Sequence, residues 1–150
     1  MTRQLSSSQI ADRINVVVPA AVVAINPTAV WIKREAVRSV CLFLRDDPDL
    51  CLDFLVSITG VDYLDYFEVI YHIVSLGYNH SMVLKTICKG RADLTLPSVV
   101  EVWAGANFQE REVYDLMGIT FEGHPLLKRI LLWEGFDGYP LRHDYIESRH

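Results

Sequence analysis

Three strand-length runs follow one another in the middle of the chain, Leu52–Asp62, Phe67–Leu76 and Ser81–Lys89, joined by Tyr63–Tyr66 and by Gly77-Tyr78-Asn79. Connections this short suit antiparallel hairpins, because a parallel return needs a crossover of about a dozen residues or more. The three runs therefore form a meander. Alternation in the central run places Phe67, Val69, Tyr71 and Ile73 on one face and Glu68, Ile70, His72 and Val74 on the other. With apolar residues on both faces, both are at least partly covered.

Helices supply one cover. Ser6 with Gln9 three residues later, and Leu5 with Ile10 as a hydrophobic staple, predict a short first helix ending near Asn15. Val16–Val18 and Ala21–Ile25 read as extended, and Asn26-Pro27 turns the chain into a brief strand at Ala29–Ile32. Val37, Val40, Cys41 and Leu44 recur at helical spacing, and this second helix stops before Asp46-Asp47-Pro48. The fold class expected is α+β: a mixed sheet of four to five strands containing the meander, two N-terminal helices packed on it, and an extended C-terminal tail. Residues 1–106 make up the α+β part and 107–150 a helix and tail, within a single structural domain.

Beyond Pro97 the glycines and prolines break the chain into short pieces, with one clear helix among them. Asn107 is its expected cap, Glu110 stands at the third helical position, Val113, Leu116 and Met117 share a face, and Gly118 sits where a C-terminal cap glycine belongs. After Gly118 no segment can form its own core, so a tail carrying Trp133, Phe136, Tyr139 and Tyr145 must pack on its own domain or on another chain.

Composition narrows the function classes. A chain of 150 residues is one domain by length, and 51% apolar residues with a mean hydropathy of +0.19 leave more apolar surface than a small core needs. A net charge of -5 provides no basic field for nucleic acid. The apolar stretch from Val16 to Ile25 contains Pro19 and is too short to cross a bilayer, which takes about 20 residues; Asp12 and Arg13 before it do not suit a signal peptide, so a cytosolic location is expected. Cys41, Cys51 and Cys88 are odd in number and unlike CxxC in spacing, as for buried apolar residues rather than disulfides or cluster ligands.

Nothing in the pattern supports catalysis or cofactor binding by this chain. His72, His80, His124, His143 and His150 form no helical pair suited to a metal; His72 reads as a partly buried sheet residue and His124 as a loop residue holding a hydrogen bond. Glu110 and Glu112 point about 200° apart on a helix, Arg111 can pair with Asp115, and the whole reads as a solvated helix face. No phosphate loop or nucleophile elbow is present. The expectation is no catalytic residue, no metal and no bound cofactor.

The run Glu110-Arg111-Glu112-Val113-Tyr114-Asp115-Leu116-Met117-Gly118-Ile119, then Gly123-His124-Pro125, Lys128-Arg129-Ile130-Leu131 and Gly138-Tyr139-Pro140-Leu141-Arg142-His143-Asp144-Tyr145, resembles the thirty-kilodalton subunit family of respiratory complex I, whose members are the bacterial C subunits and the chloroplast-type J subunits. Val61-Asp62-Tyr63, Phe67–His72 and Pro97–Asn107 also resemble its middle section, so the likeness covers about residues 52–145. Leu132 leading directly into Trp133-Glu134-Gly135, and His143 in place of a lysine, depart from the family pattern.

The resemblance implies a cofactor-free structural subunit of the hydrophilic arm of a proton-translocating NADH-quinone oxidoreductase. FMN, iron–sulfur clusters and quinone would belong to partner subunits, the large quinone-pocket subunit foremost among them. It implies a peripheral place on the cytoplasmic side of the inner membrane, with no span. A related domain serves group 4 membrane-bound hydrogenases and complexes fed by ferredoxin or a reduced deazaflavin, which is the alternative. By the same resemblance the partner interface is expected at Glu110, Arg111, Glu112, Asp115, His124, Lys128, Arg129, Trp133, Tyr139, Pro140, Arg142, Asp144 and Tyr145. There the arginines and lysine would meet partner carboxylates, the acids would brace them or meet basic groups, and the aromatics would act as anchors.

Overall fold

The computed structural model describes residues 2–146. A short strand β1 (Arg3–Gln4) leads into helix α1 (Ser7–Val17), the hairpin β2 (Val22–Asn26) and β3 (Ala29–Ile32), and a 3-10 turn at Arg34–Ala36 that opens helix α2 (Val37–Asp46). The meander follows as β4 (Phe54–Asp62), β5 (Tyr66–Ser75) and β6 (His80–Lys89). Strand β7 (Thr95–Pro97), helix α3 (Ala106–Met117) and strand β8 (Thr120–Glu122) complete the regular elements.

The main sheet runs β2-β3-β6-β5-β4, with β1 also parallel to β6, and β7 pairs with β8 in a separate small sheet. The meander is antiparallel throughout while β3 lies parallel to β6, so the sheet is mixed, as expected, and the fold is α+β. It has six strands rather than four or five, because β1 is a two-residue strand held by register with His80 and Ser81, which no local pattern announces.

Period-two alternation builds the core. Phe67, Val69, Tyr71 and Ile73 of β5 are all fully buried, opposite Cys88, Thr86, Leu84 and Met82 of β6. Val30 and Ile32 extend this layer. Ile10, Ala11 and Ile14 from α1, and Val37, Val40, Cys41 and Leu44 from α2, join the same core. Each fully buried aliphatic side chain contributes roughly 1.5–3 kcal/mol relative to exposure. The opposite sheet face carries the half-buried Ile70, Val74, Val83 and Ile87 and the exposed His72, which was expected to be partly buried. There the Trp31 indole N–H donates to Glu68 at 3.0 Å and the Lys85 ammonium lies 4.8 Å from the Trp31 ring centre.

Two further boundaries differ from expectation. Helix α1 continues through Val16 and Val17, read above as extended, because the Val18 N–H still reaches the Ile14 carbonyl at 2.8 Å. Its expected capping box is absent: the Ser6 hydroxyl meets that of Ser8 at 3.2 Å instead of a backbone N–H. At α3, Gly105 is the cap and Asn107 lies inside the helix. Gly118 does close α3 in the left-handed conformation, φ +76°, with its N–H on the Tyr114 carbonyl.

Candidate functional site: helix α3 and the tail it anchors

Helix α3 packs beside β4, the strand at one edge of the main sheet. Gln109 performs part of that docking, since its side-chain carbonyl accepts the Ile58 N–H at 2.6 Å and its amide donates to the Val56 carbonyl at 3.4 Å. A side chain thus occupies the position a neighbouring strand would take.

The two acids expected on a solvated face are turned inward. Glu110 is fully buried; it accepts from the Ser98 hydroxyl at 2.6 Å and the Val99 N–H at 2.8 Å. Burial pushes its carboxyl up to about 7, against the pull of those two donors. Asp115 is also fully buried, and one of its oxygens accepts three successive N–H groups, from Ile130, Leu131 and Leu132, at 2.8–3.1 Å. Its other oxygen takes the Arg129 guanidinium at 2.8 Å. Burial opposes its charge, but the row of backbone donors and Arg129 outweigh burial and hold the carboxyl below its ordinary range. In the chain alone both side chains are therefore closed off from solvent, rather than on the solvated face expected for them.

The arginines are likewise held within the chain. Arg111 donates to the Lys128 and Arg129 carbonyls rather than pairing with Asp115. Arg129 also reaches the Gly138 carbonyl, with Phe136 and Tyr139 ring centres 5.5 and 5.0 Å from its guanidinium. Arg142 donates to the Met117 carbonyl at 2.5 Å, at the C-terminal end of α3 where a cation is favoured, and lies against Phe67 and Tyr139. Within the chain these arginines bind their own tail, because an irregular segment exposes carbonyls that a guanidinium fork satisfies, and each stays partly open to solvent.

Further anchors complete the tether. His124 receives the Leu126 N–H on Nδ1, so its Nε2–H donates to the Asn107 carbonyl at 3.0 Å. Asp62, at the end of β4, accepts two bonds from Arg91 and one each from the Leu64 and His143 N–H groups, and Arg91 also pairs with Asp144. The two hydrogen bonds from Arg91 more than offset the burial of Asp62 and hold its carboxyl far below the usual range. Sequence reasoning missed Asp62, Arg91 and Ser98, whose partners lie far along the chain. It also missed a signal that was present for Glu110, which stands three and seven residues from Val113 and Met117 on the buried stripe of α3.

The outward surface mixes large apolar side chains with charged ones, Glu122, Glu134, Asp137 and His143 among them. Trp133, Leu131, Leu141 and Ile146 are exposed, as are the expected Glu112, Lys128 and Asp144. Tyr139, Pro140 and Tyr145 are half-buried, Tyr139 edge-on to Tyr114 and Tyr145 stacked on Phe136. Among the described residues no three His, Cys, Asp or Glu are grouped to hold a metal ion, and no helix is long and apolar enough to cross a membrane. His150 lies outside the described residues.

Gly118 is the hinge of this arrangement. A Cβ built there would fall 2.5 Å from the Arg142 guanidinium and 2.7 Å from the Tyr139 ring. Gly118→Ala is expected to lose about 1–2 kcal/mol from the left-handed backbone alone, and more from displacing Tyr139. A thermal melt of the purified variant would show it, and an unchanged Tm would mean that the tail does not depend on this close approach.

Residues 30–150 match the family described as the respiratory-chain NADH dehydrogenase, 30 Kd subunit. The C subunit of the NADH-quinone oxidoreductase of Roseiflexus castenholzii is 45% identical over 119 residues, covering 77% of this chain and 68% of that one. That of Coxiella burnetii strain Dugway is 34% identical over 177 residues, covering 95% and 78%. Among solved structures, the trypsin-resistant fragment of Nqo5 superposes with a TM-score of 0.61 at 30% identity, covering 80% of this chain and 98% of the fragment. A chain of an archaeal membrane-bound sulfane sulfur reductase shares the fold, with a TM-score of 0.69 at 22% identity over 93% of this chain and 85% of its own. On these matches of sequence and of fold, this chain belongs to the family of the 30 Kd subunit of respiratory-chain NADH dehydrogenase.

Proposed function

We propose that this chain is a cofactor-free structural subunit of a proton-translocating NADH-quinone oxidoreductase, peripheral on the cytoplasmic side of the membrane, and that its α3 and tail surface seats against the large quinone-pocket subunit. One observation carries the reading. The tail's arginines and Asp115 are bound inside the chain, whereas Leu131, Trp133, Leu141 and Ile146 point outward without a core of their own. Charged groups thus set the tail's shape, and apolar groups provide the contact, which is the division of labour of a protein interface. The 107–150 segment then acts as the docking element of a single structural domain, with Glu112, Lys128 and Asp144 on its polar rim. FMN, iron–sulfur clusters and quinone belong to the partner subunits.

The test is affinity purification of the tagged chain from gently solubilised native membranes. Recovery with quinone-pocket and cluster-bearing subunits and an NADH-oxidising flavoprotein is expected. A nickel–iron hydrogenase partner would move the chain to the related hydrogenase complexes, and recovery of the chain alone would defeat the assembly role. Within this reading Trp133→Ala should change the stability of the isolated chain by no more than about 0.5 kcal/mol, as for an exposed site. It should weaken retention in the complex by on the order of 10-fold or more, as for an aromatic anchor. Equal retention would remove Trp133 from the interface.

A further inference from the structure

The main sheet has two outer edges, and the fold treats them differently. At β4 the backbone groups of Val56 and Ile58 are taken up by the Gln109 amide. At β2 the Asn15 side chain accepts the Val22 N–H at 3.1 Å, and beyond it, among the described residues, no strand pairs with the outer edge. Edge strands are usually blunted by charge, proline, bulges or a covering element, since an open edge recruits another strand. The run Val22-Val23-Ala24-Ile25-Asn26 contains neither charge nor proline, and its single irregularity lies between Val22 and Ala24. Val23 and Ile25 are 58% and 46% exposed, which is unusual for β-branched residues in a strand.

Beside this edge lies a groove of about 770 Å³ lined by Val23, Trp31 and Ile87, with Lys33, Lys89 and Glu35 among its charged residues. Lys33 and Lys89 are exposed and make no ion pair among the described residues, whereas Arg34 is engaged by Asp93. Glu35 is outweighed by the two lysines. Lys85, the remaining cation on this sheet face, is already matched by Glu68.

We infer that the free edge of β2 accepts an added strand from a partner subunit, an extended apolar segment flanked by acidic residues. Its backbone would complete the ladder, an apolar side chain would enter the groove over Trp31 and Ile87, and its acids would meet Lys33 and Lys89. A second copy of this chain fits less well, since its own β2 would bring an uncharged strand and another pair of unmatched lysines instead of acids. The inference rests on the assembly role proposed above and names a contact on a different face from the tail.

Amide hydrogen exchange, read on the purified full chain and on the same chain within the isolated complex, tests it. The outward amides among Val23 to Ile25 should exchange rapidly in the free chain and at least about 100-fold more slowly in the complex, as when an open edge becomes an internal ladder. The double variant Lys33→Glu, Lys89→Glu should be retained less well in the complex, more so at low salt, with an unchanged melt of the free chain. Unprotected β2 amides in a complex recovered intact would overturn this inference while leaving the assembly role standing. Protection that appears in the free chain and grows with its concentration would make a second copy the occupant, and recovery of the chain alone would remove both readings.

Discussion

Asp115→Ala is expected to release the C-terminal tail and to destabilise the chain by about 3–5 kcal/mol, the range for removing one partner of a buried ion pair. The size follows from how many groups converge on one carboxylate. Asp115 holds three consecutive N–H groups and the Arg129 guanidinium, and its side chain has no contact with solvent. Without it, three partly buried N–H donors and a nearly buried cation lose their acceptor at once, and Arg129 loses the position from which it reaches Gly138 and the Phe136 and Tyr139 rings. Urea denaturation gives the magnitude, and limited trypsin digestion gives the place, because cleavage after Lys128 and Arg129 should appear in the variant and be slow in the parent chain. Asp115→Asn keeps the shape and one carbonyl acceptor but sets an amide donor against the cation or the N–H row, and should fall between the two. A loss under about 1 kcal/mol for alanine would mean that these groups find water or other acceptors, as surface groups do.

The meander is legible in the sequence because its loops are too short for any other connection, and β4, β5 and β6 begin and end within two residues of the expected runs. Helix α2 is legible for the same kind of reason, its buried Val37, Val40, Cys41 and Leu44 being spaced to one side of a turn. What stays hidden depends on contacts between distant segments. Strand β1 exists only because residues 3 and 4 reach residues 80 and 81. The partners of Asp115 lie fourteen to seventeen positions away in a segment without periodicity, so an acid on a charged helix looks solvated until the tail is placed over it. The tail arginines are ambiguous in the same way: guanidiniums near aromatics suit an interface, and they suit an irregular segment folding back on its own carbonyls equally well. The family resemblance locates the segment that matters but does not tell which of its charges face inward.

Glu110 should make the chain less stable as pH rises from about 4.5 to about 7, and Glu110→Gln should abolish that loss. Its carboxyl is buried among Ser98, Val99 and the neutral Cys41 and Tyr71, with no cation in contact. The Cys41 thiol is pushed up by burial and then by the charge of Glu110. The Tyr71 hydroxyl, a buried group without a hydrogen-bond partner, is pushed up by burial and then by the neighbouring Cys41 and Glu110. Two donors do not replace the water an ionised carboxylate loses, so the folded chain holds this proton up to about 7, whereas the unfolded chain releases it near 4.5. Between those values the folded state binds more protons, and stability therefore falls with rising pH, by roughly 3 kcal/mol once the group is ionised in both states. Asp62 acts in the opposite direction and in another window: its lowered carboxyl contributes stability above its ordinary 3.8 that is lost on acidification. In the glutamine variant the side-chain carbonyl can accept the Val99 N–H and the amide can donate to the Ser98 hydroxyl, so both contacts survive without a charge. Urea midpoints at pH 5 and pH 8 should then differ strongly for the parent chain and little for Glu110→Gln, with the two proteins nearly equal at pH 5. If the variant kept the parent's loss of stability, another group would be titrating, and the carboxyl at the centre of α3 would be ionised and stable there despite its burial.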